Sequence, residues 1–405
     1  MKDLEIAKLI EKETERHQTT LNLIASENYP SRAVREALSS IFVSKYSEGR
    51  PYKRYYGGQE FIDELESLVE ERVRKVFGLN KNWTVNVQPY SGSPANYAIL
   101  RGLLKLGDKI LALPLSHGGH LTHGASVSLS GQDFKVVNYF LSRDGFLDYK
   151  AIRKLAKKEK PKLIICGFTA YPRKINFKEF GKIAKEVRAY LLADIAHLAG
   201  LIIGGVHPSP FPWADVVMTT THKTLRGPRG AIIICKKELE NKIFPKVFPG
   251  LQGGPHQHTI CAIGVALKEA QSPKFKRYAI QIVKNTKALA QELKKYNFNL
   301  ISEGTDNHLI LVDLTNKNIP GKETQDLLEK AGIIVNKNTI PYDSRPPFNP
   351  SGIRLGTPAL TTRGMKEKEM KKIAFWINEV ISNPKSTLKI KREVKKLCQK
   401  FPIPG

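Results

Sequence analysis

The chain has 405 residues, and its 65 lysines and arginines outnumber 38 aspartates and glutamates to leave a formal charge of +27. Hydrophobic residues at 41% and charged residues at 25% are ordinary for a folded soluble protein and exclude wholesale disorder, while the length exceeds a single compact core. The surplus charge points to an anionic partner, which composition leaves open as nucleic acid, a membrane surface or a polyanionic small molecule.

The first 20 residues set Leu4, Ala7 and Ile10, with Ile6 and Leu9, on one stripe and predict an amphipathic helix. The charged start, M-K-D-L-E-I-A-K, does not read as a secretory signal. A loop rich in Tyr, Gly and Ser is expected over 22–58, then a helix from Asp63 stopped at Gly78. Short apolar runs follow at 109–113, 135–139, 162–166, 189–193, 215–218 and 230–235, with helical spacing between several of them, as at 148–158 and 176–187. That alternation predicts an α/β fold with a mostly parallel sheet covered on both faces. Beyond the Gly/Pro-rich segment 248–255, a helix is expected over 258–295 with a break at Pro273. Strands at 309–314, 333–336 and 352–356, with helices at 322–331 and 366–380, complete a small α+β module. The basic tail 385–400 has no role that its sequence assigns. The most apolar stretch, 191–206, carries Asp194 and His197 and falls short of the ~20 residues a spanning helix needs, so no membrane span is expected. Cys166, Cys235, Cys261 and Cys398 have neither metal-ligand nor redox-motif spacing and read as reduced thiols of a cytoplasmic protein.

In an open parallel sheet, ligands bind beyond the carboxyl ends of the strands, and unusual side chains stand at four such places. The run D-V-V-M-T-T-T-H-K-T-L-R-G-P-R-G (215–230) brings Lys223 to a strand end with His222, Arg226 and Arg229 nearby. A lone lysine in so basic a chain is ordinarily a solvated charge, but burial beside like charge favours the free amine that Schiff-base chemistry needs. In L-L-A-D-I-A-H-L-A-G (191–200), Asp194 ends an apolar strand, where it is either a helix cap or the carboxylate that keeps a pyridine nitrogen protonated. Ser91-Gly92-Ser93 precedes an apolar helix at 97–104 and could hold a phosphate or simply cap. His117, His120 and His123 invite a metal reading, but on a helix this spacing fans the rings apart, and no metal is expected; an imidazole stacked on a ring suits the run better. Phosphate turn, ring stacker, acid and lysine in that order are the parts of a pyridoxal-phosphate site.

Longer segments carry a family likeness. L-I-A-S-E-N-Y (23–29), K-Y-S-E-G-R-P-Y-K-R-Y-Y-G-G (45–58), Q-P-Y-S-G-S-P-A-N (88–96), S-H-G-G-H-L-T-H-G (116–124), A-D-I-A-H-L-A-G-L (193–201), T-T-T-H-K-T-L-R-G-P-R-G (219–230), T-D-N-H-L (305–309) and S-G-I-R-L-G-T-P-A (351–359) run in order along nearly the whole chain. The chain resembles serine hydroxymethyltransferase, a pyridoxal-phosphate enzyme of the aspartate-aminotransferase fold. The resemblance implies an N-terminal arm (1–48), a large cofactor-binding domain with a seven-stranded sheet (49–265) and a small α+β domain (266–405). It implies that Lys223 forms the imine with pyridoxal 5'-phosphate, Asp194 pairs with the ring nitrogen and His120 stacks on the ring. Ser91, Gly92 and Ser93 would hold the phosphate, aided by His222 and by Gly253 and Gly254 of the partner subunit of a homodimer; Thr220 would also touch the cofactor, and His197 and Thr169 would flank the phenolic oxygen. Arg354 would grip the amino-acid carboxylate, a task its bidentate fork suits. Ser26 would also touch substrate, and Glu48, with Tyr46 and Tyr56, would reach the serine hydroxyl from the other subunit. A reduced pterin would lie along Leu115, Gly119, His120, Leu121, Asn338, Pro346, Pro347 and Phe348.

The family usually reads G-Y-P-G where this chain has G-R-P-Y at 49–52, and Asn and Ser where it has Tyr342 and Pro346. The last two leave tetrahydrofolate and tetrahydromethanopterin both open as carrier. The rival readings are a threonine aldolase or aminotransferase of the same fold, and a basic nucleic-acid-binding protein; against the latter, no zinc-knuckle, helix-turn-helix or RNA-recognition signature is present, and no specific nucleic acid is expected. A Lys-rich chain with only four Cys and four Met suggests a thermophile.

Overall fold

The computed structural model describes residues 2–404, and the chain divides into two compact units. One comprises Pro30–Thr169 and Lys174–Ile280; the other comprises the residues up to Tyr29, Ala170–Arg173 and those from Gln281 onward. The first 29 residues group with the C-terminal unit because Leu21–Asn22 pairs in parallel with Ile333–Ile334, which carries Leu21 and Leu23 into that unit's core. The division falls after Ile280, where the sequence suggested 265, because helix Gln257–Ala270 packs on helices Arg32–Leu38 and Glu60–Phe77.

The larger unit is built on a seven-stranded sheet. Its strands in chain order are β1 (Trp83–Asn86), β2 (Lys109–Ala112), β3 (Lys135–Asn138), β4 (Leu163–Cys166), β5 (Tyr190–Asp194), β6 (Val216–Thr220) and β7 (Ala231–Lys236). Across the sheet they run β1-β7-β6-β5-β4-β2-β3, parallel except for β7, which is antiparallel to both its neighbours. Strands β4 to β7 read as unbroken apolar runs because helices cover both faces of the sheet. On one face, Ala95, Ala98 and Ile99 of helix Gly92–Leu103 meet Ile243, Phe244 and Val247 of helix Glu240–Val247. Helices Tyr149–Glu159 and Phe177–Val187 pack on each other, and Phe180 sits against the rings of Tyr139 and Tyr149.

Three expectations are corrected. β1 was not legible, since W-T-V-N alternates its two apolar residues with polar ones and gives no contiguous apolar run, unlike K-V-V-N of β3. The segment expected as loop over 22–58 contains helix Arg32–Leu38, capped by Ser31, a tight turn Ile41–Ser44 and a hairpin pairing Gly49–Arg50 with Lys53–Arg54. Helix Arg32–Leu38 is two turns long with only Val34 buried, too little for a helical period to register. The helix after Ser91 begins at Gly92, so Gly92 and Ser93 form its first turn.

The other unit holds a four-stranded antiparallel sheet in the order Asn299–Leu300, Leu309–Asp313, Gly352–Gly356, Asn336–Asn338. Helices Gly321–Lys330, Glu367–Ser382 and Thr387–Lys400 pack with it around Trp376. The basic tail thereby gains a structural role: helix Thr387–Lys400 buries Ile390, Val394, Leu397 and Cys398 and turns Lys389, Lys391, Lys395 and Lys396 outward. Helix Leu4–Thr19 forms as its period predicts, yet buries none of its residues: Leu4 is 78% and Leu9 60% exposed.

No helix among the described residues is long and apolar enough to cross a membrane.

Candidate active site

The parallel strands deliver their carboxyl ends to one edge of the sheet, and there the chain places its chemistry. Asp194 is the last residue of β5, Thr220 the last of β6, and Gly167-Phe168-Thr169 follows β4. Gly167 takes φ +115°, and a Cβ there would stand 1.8 Å from the Asp194 carbonyl oxygen, so only glycine lets the loop turn this close to β5. A narrow cleft of about 30 Å³ is lined by Gly92, Asn96, His120, His123, Phe168, Thr169, Asp194, Ala196, His197, Met218, Thr220 and Lys223.

At its floor Asp194 is buried and clamped. Its Oδ2 accepts hydrogen bonds from Asn96 Nδ2 and His123 Nε2, both 2.9 Å, and its Oδ1 accepts from the Ala196 N–H at 3.0 Å. Burial works against the carboxylate, but the hydrogen bonds from His123 and Asn96 hold the carboxyl well below the usual range. The network also fixes tautomers: the His120 N–H donates to His123 Nδ1, which leaves the proton on His123 Nε2, facing Asp194. His120 Nδ1 accepts from the Thr122 N–H, so neutral His120 carries its proton on Nε2. Burial, then the neighbouring His123 and Lys223, push His120 down to about 4.

Lys223 Nζ donates to Thr220 Oγ1 at 2.9 Å. Burial, with the charges of Lys223 and Arg229, lowers His222 to about 3, and its buried Nδ1 has no hydrogen-bond partner. Two arginines were expected beside Lys223; instead Arg226 lies over the Tyr278 ring at 4.4 Å, and Arg229 is exposed. The left-handed turn at Arg226 aims its side chain at that ring. Thr169 Oγ1 donates to the Gly119 carbonyl at 2.7 Å, and Ser91 precedes the helix that starts at Gly92.

A second group of expected residues lies together but does not line this cleft. Tyr46 and Tyr56 meet edge to face at 5.3 Å, and a Cβ on Gly253 would sit 3.5 Å from Glu48 Oε1 and 3.7 Å from the Tyr46 hydroxyl. Tyr90 OH donates to the Gly254 carbonyl at 2.8 Å. In the other unit, Arg354 is on the strand Gly352–Gly356, donates from Nε to Asn336 Oδ1 at 3.1 Å, and is lowered to about 10 by burial. Ser26 is half-buried in a turn closed by the Glu27 N–H to the Ile24 carbonyl. Leu115 and Leu121 open two short 3-10 turns and are exposed, as are Pro346, Pro347 and Phe348; Asn338 ends its strand.

The sequence reading missed Asn96 and His123 as partners of Asp194. The signal was available in principle, because a buried carboxylate requires donors and the histidine run supplies them. His117, the third of that run, points elsewhere: its Nδ1 accepts from the Leu141 N–H at 3.3 Å. Among the described residues no group of three or more His, Cys, Asp or Glu is placed to hold a metal ion.

The family model for serine hydroxymethyltransferase matches residues 1–377. The chain belongs to the serine hydroxymethyltransferase family. A relative named serine hydroxymethyltransferase from Desulfotalea psychrophila is 54% identical over 406 residues, which cover 100% of this chain and 95% of the relative. Another of that name from Methanosarcina barkeri is 55% identical over 407 residues, covering 99% and 98%. Members of the family are pyridoxal-phosphate enzymes that interconvert serine and glycine. The residues of the cleft fit that cofactor. An ionised carboxylate with three donors suits a protonated pyridine nitrogen, a lysine amine stands in the same cleft, and His222 keeps a buried ring nitrogen unpartnered.

Proposed function

We propose that this chain passes the β-carbon of serine to a reduced pterin, tetrahydrofolate or tetrahydromethanopterin, working in the cytoplasm as a homodimer with shared active sites. Pterin-independent retro-aldol cleavage of 3-hydroxy amino acids accompanies it. The observation that carries the reading is the clamped Asp194 in one cleft with the Lys223 amine. Bound pyridoxal phosphate supplies a sink for the electrons released as the Cα–Cβ bond breaks.

The chain's own residues do the rest. Lys223 would supply the amine that holds the cofactor, and its hydrogen bond to Thr220 Oγ1 orients Nζ. Asp194 stays ionised and would keep a pyridine nitrogen protonated, while His120 would stack on the ring. Ser91, Gly92 and Ser93 offer a helix start, with backbone N–H groups and the positive end of the helix dipole, to the phosphate, and His222 and Thr220 assist. His197 and Thr169 flank the phenolic oxygen. Arg354 grips the substrate carboxylate, and Ser26 contacts the substrate. Glu48 moves the proton of the β-hydroxyl, with Tyr46 and Tyr56 beside it; burial and the neighbouring Glu48, Tyr46 and Tyr55 raise Tyr56, so it stays a protonated donor. The shared site is supported by the grouping of Glu48, Tyr46, Tyr56, Gly253 and Gly254 outside the cleft of their own chain. Exposed apolar side chains at Leu115, Leu121 and Phe348 support pterin contacts there and at Gly119, His120, Asn338, Pro346 and Pro347.

The test is serine cleavage assayed with the two carriers side by side, wild type against Lys223→Ala. Glycine release that needs a reduced pterin, and its loss in Lys223→Ala together with the cofactor's visible absorbance, is the expected result. A Lys223→Ala variant that turns over at the wild-type rate overturns the assignment.

A further inference from the structure

The segment that carries Glu48 into the hairpin is fastened by side chains at three backbone carbonyls. Arg54 Nη1 donates to the carbonyls of Ser47 (3.1 Å) and Gly49 (2.9 Å), and Gln59 Nε2 donates to that of Tyr46 (3.0 Å). Gln88 Nε2 donates to the Gly49 carbonyl at 2.8 Å, and Gln257 Nε2 to Ser47 Oγ at 2.7 Å. Three of these four residues converge on one carboxylate. Glu66, on helix Glu60–Phe77 and 0% exposed, takes Gln257 Nε2 on Oε1 at 2.5 Å and Gln88 Nε2 on Oε2 at 2.9 Å. Arg54 Nη2 stands 3.0 Å from Oε1 as an ion pair off the hydrogen-bond direction, and Arg54 Nε is held by Asp63 at 2.8 Å.

The same hub reaches the glycine turn. Gln252 Nε2 donates to the Gln88 carbonyl and Gln252 Oε1 accepts the Tyr90 N–H, both at 3.0 Å, while the Tyr90 hydroxyl closes on the Gly254 carbonyl. Each amide at the centre spends one hydrogen on Glu66 and the other on the hairpin. A shift of the Glu66 carboxylate therefore moves the Tyr46–Glu48 segment and the Gly253–Gly254 turn together. Burying a charge and three polar side chains is a costly way to hold a helix, which apolar contacts would hold without desolvation loss.

We propose that Glu66 is a positioning residue: it sets the geometry of the half-site bearing Tyr46, Glu48, Gly253 and Gly254, and so acts on the active site its subunit donates to the partner. This rests on the shared-site reading above.

The experiment uses Glu66→Gln. An amide cannot accept at both ends, so it turns a donor toward Gln88, Gln257 or Arg54. The homodimer is expected to lose about 100-fold in kcat, the scale of a small misplacement of reacting groups, while the cofactor's visible absorbance at Lys223 is retained. Mixed dimers then decide where Glu66 acts. A Glu66→Gln subunit paired with a Lys223→Ala subunit has one site that joins an intact Lys223 to an intact donated half. Such dimers should recover about half the wild-type activity, one of two symmetric sites. Glu48→Gln paired with Lys223→Ala is the control and should recover equally. If the control recovers and the Glu66→Gln pair stays inactive, Glu66 acts within its own subunit, and the proposal is overturned. If the control itself stays inactive, the shared-site reading falls first and takes the proposal with it. Should Glu66→Gln fail to fold, Gln257→Met, which removes a single arm of the hub, is put through the same pairing with the same two decisive outcomes.

Discussion

Single residues set the acid response of the cleft. His120 and His222 are held near 4 and 3 in the fold, chiefly by burial, against 6.5 when unfolded. A group that binds its proton more readily when unfolded stabilises the native state above its unfolded value, and that stability is lost as pH falls toward the folded value. Asp194 adds a loss in the same direction at lower pH, because its folded carboxyl lies below the ordinary 3.8. The cofactor-free protein is therefore expected to lose on the order of 5 kcal/mol between pH 6.5 and 4, about half from each histidine. Calorimetry checks this, and His222→Gln should flatten the slope; an unchanged slope in that variant refutes the assignment. Asp194 and Lys223 were legible in the sequence because charge at the end of an apolar strand breaks the hydropathy pattern. Asn96 and His123 were not. Asn96 lies 98 residues from Asp194, and nothing local signals that sheet order will bring them together.

Elements were legible in proportion to their length and period. Six of the seven strands of the large sheet stood out as apolar runs, and the long helices as periodic ones, whereas β1 alternates apolar with polar residues and helix Arg32–Leu38 lies below the length at which a period registers. The site itself depends less on elements than on how closely their ends approach. Gly167 marks the closest approach, so Gly167→Ala, which also imposes a side chain at φ +115°, should cost at least ~3 kcal/mol of stability by denaturant titration. A loss below ~1 kcal/mol would show that the loop between β4 and its following helix yields without penalty.

For the whole molecule, an exposed apolar stripe on helix Leu4–Thr19 and exposed Ile41, Val43 and Phe61 leave apolar surface that a second copy of the chain would cover. Sedimentation should give a dimer, and Leu9→Lys should weaken it; a monomer at micromolar concentration contradicts the shared site. Part of the positive charge is paired in a network: Arg153 bridges Glu179 and Glu186, which also pair with Lys182 and Lys157. Such networks gain weight at high temperature, and a melting temperature above ~60 °C is expected.

The placement of β7 governs when the site can exist during synthesis. β1 touches the sheet only through β7, and the helix that opens at Gly92 follows β1. The Ser91–Gly92 turn is therefore expected to settle fully at the edge where Asp194 and Lys223 wait only after the ribosome has released Lys236. The nascent chain has its lysine before it has its phosphate cradle, so capture of the cofactor is a late, post-assembly event, and cofactor absorbance on stalled chains should appear only once β7 has emerged.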